Sequence, residues 1–60
     1  MYKFIYTRCN RETGEVQKLV EARYHNYETC IREEYYYFSH LDHNKYSGHA
    51  TISYISNISK

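Results

Sequence analysis

Any hydrophobic core in this chain has to be built largely from tyrosine. Nine of its 60 residues are Tyr, whereas Leu, Ile, Val and Phe together number 11. So few aliphatic residues, joined to a high net charge, would indicate disorder. The formal net charge here is only +1. A folded chain with tyrosine standing in for Leu and Val is therefore the consistent reading. Buried tyrosine carries a condition with it, because its hydroxyl needs a hydrogen-bond partner.

Length sets further bounds. Residues 1–60 are expected to form a single small domain. A domain of this size buries about 60 % of the surface its unfolded chain exposes, so its core is marginal. It has no room for a deep cleft between domains. No apolar run of about 18 residues is present, which excludes a transmembrane helix. The segment Met1-Tyr2-Lys3-Phe4-Ile5-Tyr6-Thr7-Arg8 lacks the long apolar stretch of a signal peptide. That start predicts a cytoplasmic protein.

The hydrophobic period changes twice along the chain. From residue 2 to 9, Tyr2, Phe4 and Tyr6 alternate with Lys3, Ile5, Thr7 and Cys9, which predicts a strand. Asn10 to Glu15 is polar, and Gly14 can take positive φ and close a hairpin. Alternation resumes over 16–24, with Val16, Val20, Ala22 and Tyr24 on one face, interrupted by Lys18. At Asn26 the period becomes helical. Asn26 is a good N-cap, and Glu28 suits the positive end of the helix dipole. The predicted apolar face comprises Tyr27, Cys30, Ile31, Tyr35, Phe38 and Leu41, with Glu34 near its centre. Tyr37 falls at its boundary. The helix is expected to end near His43 to Tyr46, with Ser47-Gly48 as its stop. A last strand is expected over 49–58, with Ala50, Ile52, Tyr54 and Ile58 alternating with Thr51, Ser53, Ile55 and Asn57.

The order β-β-α-β defines an α+β fold. The second and third strands run the same way and the first runs against both. Placing the first strand in the middle makes every pairing antiparallel, in spatial order 2-1-3, with the helix on one face. Tyr2, Phe4, Tyr6, Val20, Ala22, Ile52 and Tyr54 would then meet Tyr27, Ile31, Phe38 and Leu41. One helix leaves the opposite sheet face, with Ile5, Thr7, Cys9, Leu19 and Ile55, uncovered. Both outer strands keep free edges, so a homodimer through the open face or an edge is a natural expectation.

Chemistry-bearing motifs are sparse. His40 and His43 are three residues apart, but no finger spacing surrounds them, so no metal site is expected. Cys9 and Cys30 read as free thiols, Cys30 as a small buried hydrophobe. Glu34 is the best acid/base candidate, yet no nucleophile and base share a recognisable spacing, and no phosphate loop exists. Its simpler role is a carboxylate that accepts from a buried tyrosine or reaches solvent. No enzyme and no cofactor are expected. A base-stacking platform of Tyr2, Phe4, Tyr6 and Tyr54 would suit a small nucleic-acid-binding module, although the eight Lys and Arg are dispersed among seven acids. Tyr36, with Arg32, Glu33, His40 and His43 around it on the outer helix face, suits protein recognition better, since Tyr and Arg are enriched at interface hot spots.

In size, single-domain β-β-α-β organisation and lack of a catalytic signature, the chain resembles the small proteins that bacteriophages encode to disable host machinery. These include anti-CRISPR proteins, antirestriction proteins and RNA-polymerase inhibitors. The resemblance implies a non-enzymatic protein that binds and blocks a protein or ribonucleoprotein complex. Near-neutral charge implies contact with a protein surface rather than imitation of DNA. A nucleic-acid-binding module and a dimeric toxin-antitoxin or regulatory component are the alternatives.

Overall fold

The computed structural model describes residues 1–56. Three strands and one helix follow in the order β1 (Tyr2–Asn10), β2 (Val16–Tyr24), α1 (Tyr27–Ser39) and β3 (Tyr46–Tyr54). The sheet order is β2-β1-β3, and β1 is antiparallel to both neighbours. The expected fold and topology are those observed. Expectations for Asn57 and Ile58 lie outside the described residues.

The hairpin between β1 and β2 is closed as its residues require. Asn10 Oδ1 accepts from the amides of Glu12 and Thr13 at 2.8 and 3.0 Å, the local pairing that makes Asn a turn residue. Gly14 sits at φ 78°, where a side chain would be strained.

Alternation in β2 breaks at Lys18 because the ladder slips there. Tyr6 pairs with Val20 and Thr7 with Lys18, leaving Leu19 without a partner in β1. Such a bulge turns everything beyond it to the other face. Val16 and Lys18 therefore do not share the face of Val20, contrary to the alternation read from sequence. Lys18 instead reaches Glu21 at 2.6 Å, and Lys3 reaches the same carboxylate at 3.1 Å. These pairs lie on the sheet face that α1 does not cover.

On the covered face, large rings occupy the central strand and small residues flank them. Phe4 stands between Ala22 and Ile52, and Tyr6 between Val20 and Ala50. Phe4, Tyr6 and Cys30 are the fully buried residues among those described. Tyr2, Val20, Tyr24, Tyr37, Phe38, Ala50 and Ile52 pack around them. Tyr37 stacks on Tyr6 with ring centroids 5.2 Å apart, and Phe38 meets the same ring edge-on at 5.3 Å.

The helix is turned about its axis relative to the face expected from its apolar residues. Tyr37 and Cys30 point to the sheet, while Tyr27, Ile31 and Tyr35 are exposed. Tyr54, also expected in the core, is exposed as well. The ring of Tyr37 provides what the β1 aromatics need, a flat partner above Tyr6, and the aliphatic Ile31 does not. Asn26 takes the extended N-cap conformation (φ −111°, ψ 136°), but its side chain makes no capping hydrogen bond.

The helix also ends earlier than expected, at Ser39, with His40 as C-cap. Asp42 takes the chain out of the helix. Its carboxylate accepts from Asn44 N at 3.1 Å, and its carbonyl accepts from Tyr46 N at 2.9 Å. Ser47 and Gly48 accordingly lie inside β3 rather than at the helix stop, and β3 begins at Tyr46. Gly48 is needed for close approach. A Cβ there would collide with the Tyr6 hydroxyl and come within 2.9 Å of both the Tyr6 and Phe38 rings.

The Tyr6 hydroxyl is buried and has no hydrogen-bond partner among the described residues. The condition attached to a tyrosine core is thus unmet at its most buried ring. Gly48→Ala should lower stability by about 1–3 kcal/mol, the usual result of overfilling a packed core. Tyr6→Phe removes both the nearest obstacle and an unpaired donor, so it should leave stability unchanged or raised. The double variant should recover part of the Gly48→Ala loss in urea denaturation. Strict additivity of the two changes would contradict this packing.

Paired with Lys18 and Lys3 by hydrogen bonds and charge, Glu21 has a pKa lowered from 4.5 to about 2. A carboxylate with a depressed folded pKa stabilises fully above its unfolded value, and that stabilisation disappears as pH falls through the folded one. The pair is exposed, so its effect is small. Glu21→Gln should lower the melting temperature slightly near neutrality, and the difference from the parent should shrink to nothing as pH falls from 4.5 to 2.

Candidate functional site

Helical geometry and the seating of α1 divide its surface into three strips. Cys30 and Tyr37 face the sheet. Tyr27, Ile31 and Tyr35 follow one another at four-residue intervals and therefore line one flank. Arg32, Tyr36 and His40 repeat the same interval on the outer side. Which flank faces which strand follows from contacts. Tyr27 meets Tyr2 edge-on at 5.6 Å, Tyr2 meets Tyr54 of β3 at 5.2 Å, and Phe38 lies over Gly48 of β3. On the other flank, Glu33 faces Tyr24 of β2. Burial raises the Tyr24 pKa, and the charge of Glu33 adds to that effect.

The outer strip gathers three of the five residues expected to bind a partner. Arg32, Tyr36 and His40 are exposed. Tyr36 retains 54 % of its accessible surface. It is braced, with the His40 ring 4.3 Å away and Tyr37 edge-on at 5.4 Å. The bracing limits the conformations its ring can adopt without hiding it. Glu33 is half-buried toward β2.

His43 lies beyond the helix end rather than on it. Its Nε2 donates to the Phe38 carbonyl at 2.8 Å, and its own carbonyl accepts from Arg11 Nε at 2.9 Å. His40 Nδ1 donates similarly to the Tyr36 carbonyl at 2.9 Å. Carbonyls only accept, so these two ring nitrogens carry protons in this arrangement. Both histidines thus close the C-terminal end of α1, a task suited to a partly negative helix end. Among the described residues, no group of three or more His, Cys, Asp or Glu could hold a metal ion.

Other candidate chemistry is taken up by structure. Glu34, within α1, is half-buried but makes no hydrogen bond to Tyr6, whose hydroxyl has no partner among the described residues. Burial, with the Glu34 charge added, raises the Tyr6 pKa and keeps its phenol protonated. Cys9 and Cys30 are free thiols, and burial pushes the Cys30 thiol up. Phe4 and Tyr6 lie under the helix and are unavailable to stack bases. Arg8 instead lies over the Tyr46 ring at 4.1 Å, where the sheet extends past the helix end. No pocket is present among the described residues, and none of their helices is long and apolar enough to cross a membrane.

Tyr35, at 77 % exposed, and Tyr54, at 68 %, join Tyr27 and Ile31 as residues that sequence reasoning assigns to the core and the fold leaves outside. The readable signal is the size of the sheet: one helix over three strands can bury one strip, and the apolar residues of α1 span two. Comparison of the chain with protein-family models, with characterised proteins and with solved structures finds no match.

Proposed function

We propose that this chain is a non-enzymatic interaction protein that binds and blocks or modulates a protein or ribonucleoprotein partner through the outer strip of α1. The observation that carries the reading is Arg32-Tyr36-His40, an exposed guanidinium, phenol and imidazole at helical spacing, with Tyr36 braced by its neighbours. Braced tyrosine supplies contact area with little conformational entropy left to lose on binding. Arg beside it adds a planar donor set suited to carboxylates and carbonyls. A convex surface of this kind occupies another molecule's surface and does not enclose a substrate. Glu33 and His43 border the strip, and the mode of action is that of the phage-encoded inhibitors which the chain resembles in size and organisation.

A photo-crosslinking side chain at Tyr36, introduced in host cells, should trap a discrete protein partner. The same side chain at Thr13 in the hairpin should not. Arg32→Ala combined with Tyr36→Ala should reduce partner affinity at least about tenfold, the effect of losing one interface hot spot, with the circular dichroism spectrum intact. Equal crosslinking at both positions, or unchanged affinity in the double variant, would contradict the assignment.

A further inference from the structure

The two outer edges of this sheet are chemically unlike. β2 carries Lys18, Glu21 and Arg23 and is interrupted by the bulge at Leu19. Charges and bulges are devices that keep an edge strand from pairing with another chain. β3 has none of them. Its nine residues, Tyr-Ser-Gly-His-Ala-Thr-Ile-Ser-Tyr, contain no Lys, Arg, Asp, Glu or Pro, and its ladder to β1 runs without a slip. A strand without fixed charge can face its own copy with no repulsion to overcome.

The exposed rings lie beside this same edge. Tyr54 of β3 and the strip Tyr27-Ile31-Tyr35 on the β3 flank of α1 are the apolar residues that the fold leaves uncovered there. We infer that β3 pairs antiparallel with β3 of a second copy about a two-fold axis through Ala50, forming a six-stranded sheet with both helices on one face. Overlap of all nine residues places Tyr46 opposite the partner's Tyr54, and His49 opposite the partner's Thr51.

Spacing supports the rings' role. Each helix is seated over its β1, so three strand intervals of about 4.8 Å would separate the two helices by roughly 14 Å. Directly packed helices lie only about 8–10 Å apart. The gap would be too wide for aliphatic contact, and long side chains would be needed to fill it. Tyr27, Tyr35 and Tyr54 are of that length and stand at that place. This surface is separate from the Arg32-Tyr36-His40 strip, which would remain exposed on both copies.

Sedimentation equilibrium of the full chain across a wide concentration range tests the inference. The expected result is a monomer–dimer equilibrium. Thr51→Lys, on an exposed β3 position next to the axis, should weaken it by about tenfold or more, since the two lysines would be diagonal neighbours across the axis and repel each other. Val16→Lys on the β2 edge should leave it unchanged. His49→Lys provides the same test if Thr51→Lys fails to fold. Arg32→Ala with Tyr36→Ala should leave dimerisation intact, which separates this inference from the partner-binding one. A wild-type chain that stays monomeric throughout would overturn the pairing, as would a dimer that Val16→Lys dissolves and the β3 lysines do not. An extended peptide from another protein bound on β3 of a monomeric chain would also overturn it.

Discussion

The structure depends on how closely one helix approaches the ring of Tyr6. Phe4 and Tyr6 form the floor, with Cys30, Tyr37 and Phe38 above them. Small residues on either side, Val20 and Ala50 beside Tyr6 and Ala22 beside Phe4, admit the helix to that distance. Gly48 completes the fit, since any side chain there would meet the Tyr6 hydroxyl. The cost of this closeness is a buried phenol oxygen without a partner among the described residues.

A core of this width has room for one strip of the helix. In a larger domain a second layer would cover the rest, whereas the described residues supply one helix over one sheet. The remaining rings therefore fall into two exposed groups. One lies toward the uncharged β3 edge and the other faces outward beside Arg32 and His40. The same shortage of material that limits the core supplies the surfaces proposed for association.

Element type and topology are legible in the sequence because periodicity and turn chemistry agree at every level. Alternation in 2–9, helical spacing after Asn26 and Gly14 in the hairpin all point to one arrangement, and the direction of the strands then sets β1 at the centre. Three features are not legible. Helix rotation is hidden because Tyr27, Ile31 and Tyr35 read as one apolar set with Cys30 and leave Tyr37 at its boundary, whereas ring stacking of Tyr37 over Tyr6 decides the matter. Ser47-Gly48 reads as the helix end because glycine commonly stops helices. Asp42 and Asn44 stop it first, and Gly48 serves a contact that only tertiary structure creates. The interruption at Lys18 is visible, but its cause, the bulge at Leu19, depends on the pairing with β1. Of the candidate site, Arg32, Tyr36 and His40 are legible as an outward-facing group, while the β3 flank of α1 is masked by its apolar character, which reads as core.

The three consecutive tyrosines of α1 divide their labour, with Tyr37 holding the fold and Tyr35 and Tyr36 free of it. Urea denaturation of the single variants Tyr35→Ala, Tyr36→Ala and Tyr37→Ala tests this central claim most directly. At a protein concentration low enough to hold the chain monomeric, Tyr37→Ala should lose about 3 kcal/mol or more, as expected for removing a core ring. Tyr35→Ala and Tyr36→Ala should stay within about 0.5 kcal/mol of the parent, since both are exposed and alanine favours helix. A loss at Tyr35 equal to that at Tyr37 would mean that the helix is seated on a different face, and would contradict the stacking of Tyr37 on Tyr6 as the contact that holds the fold.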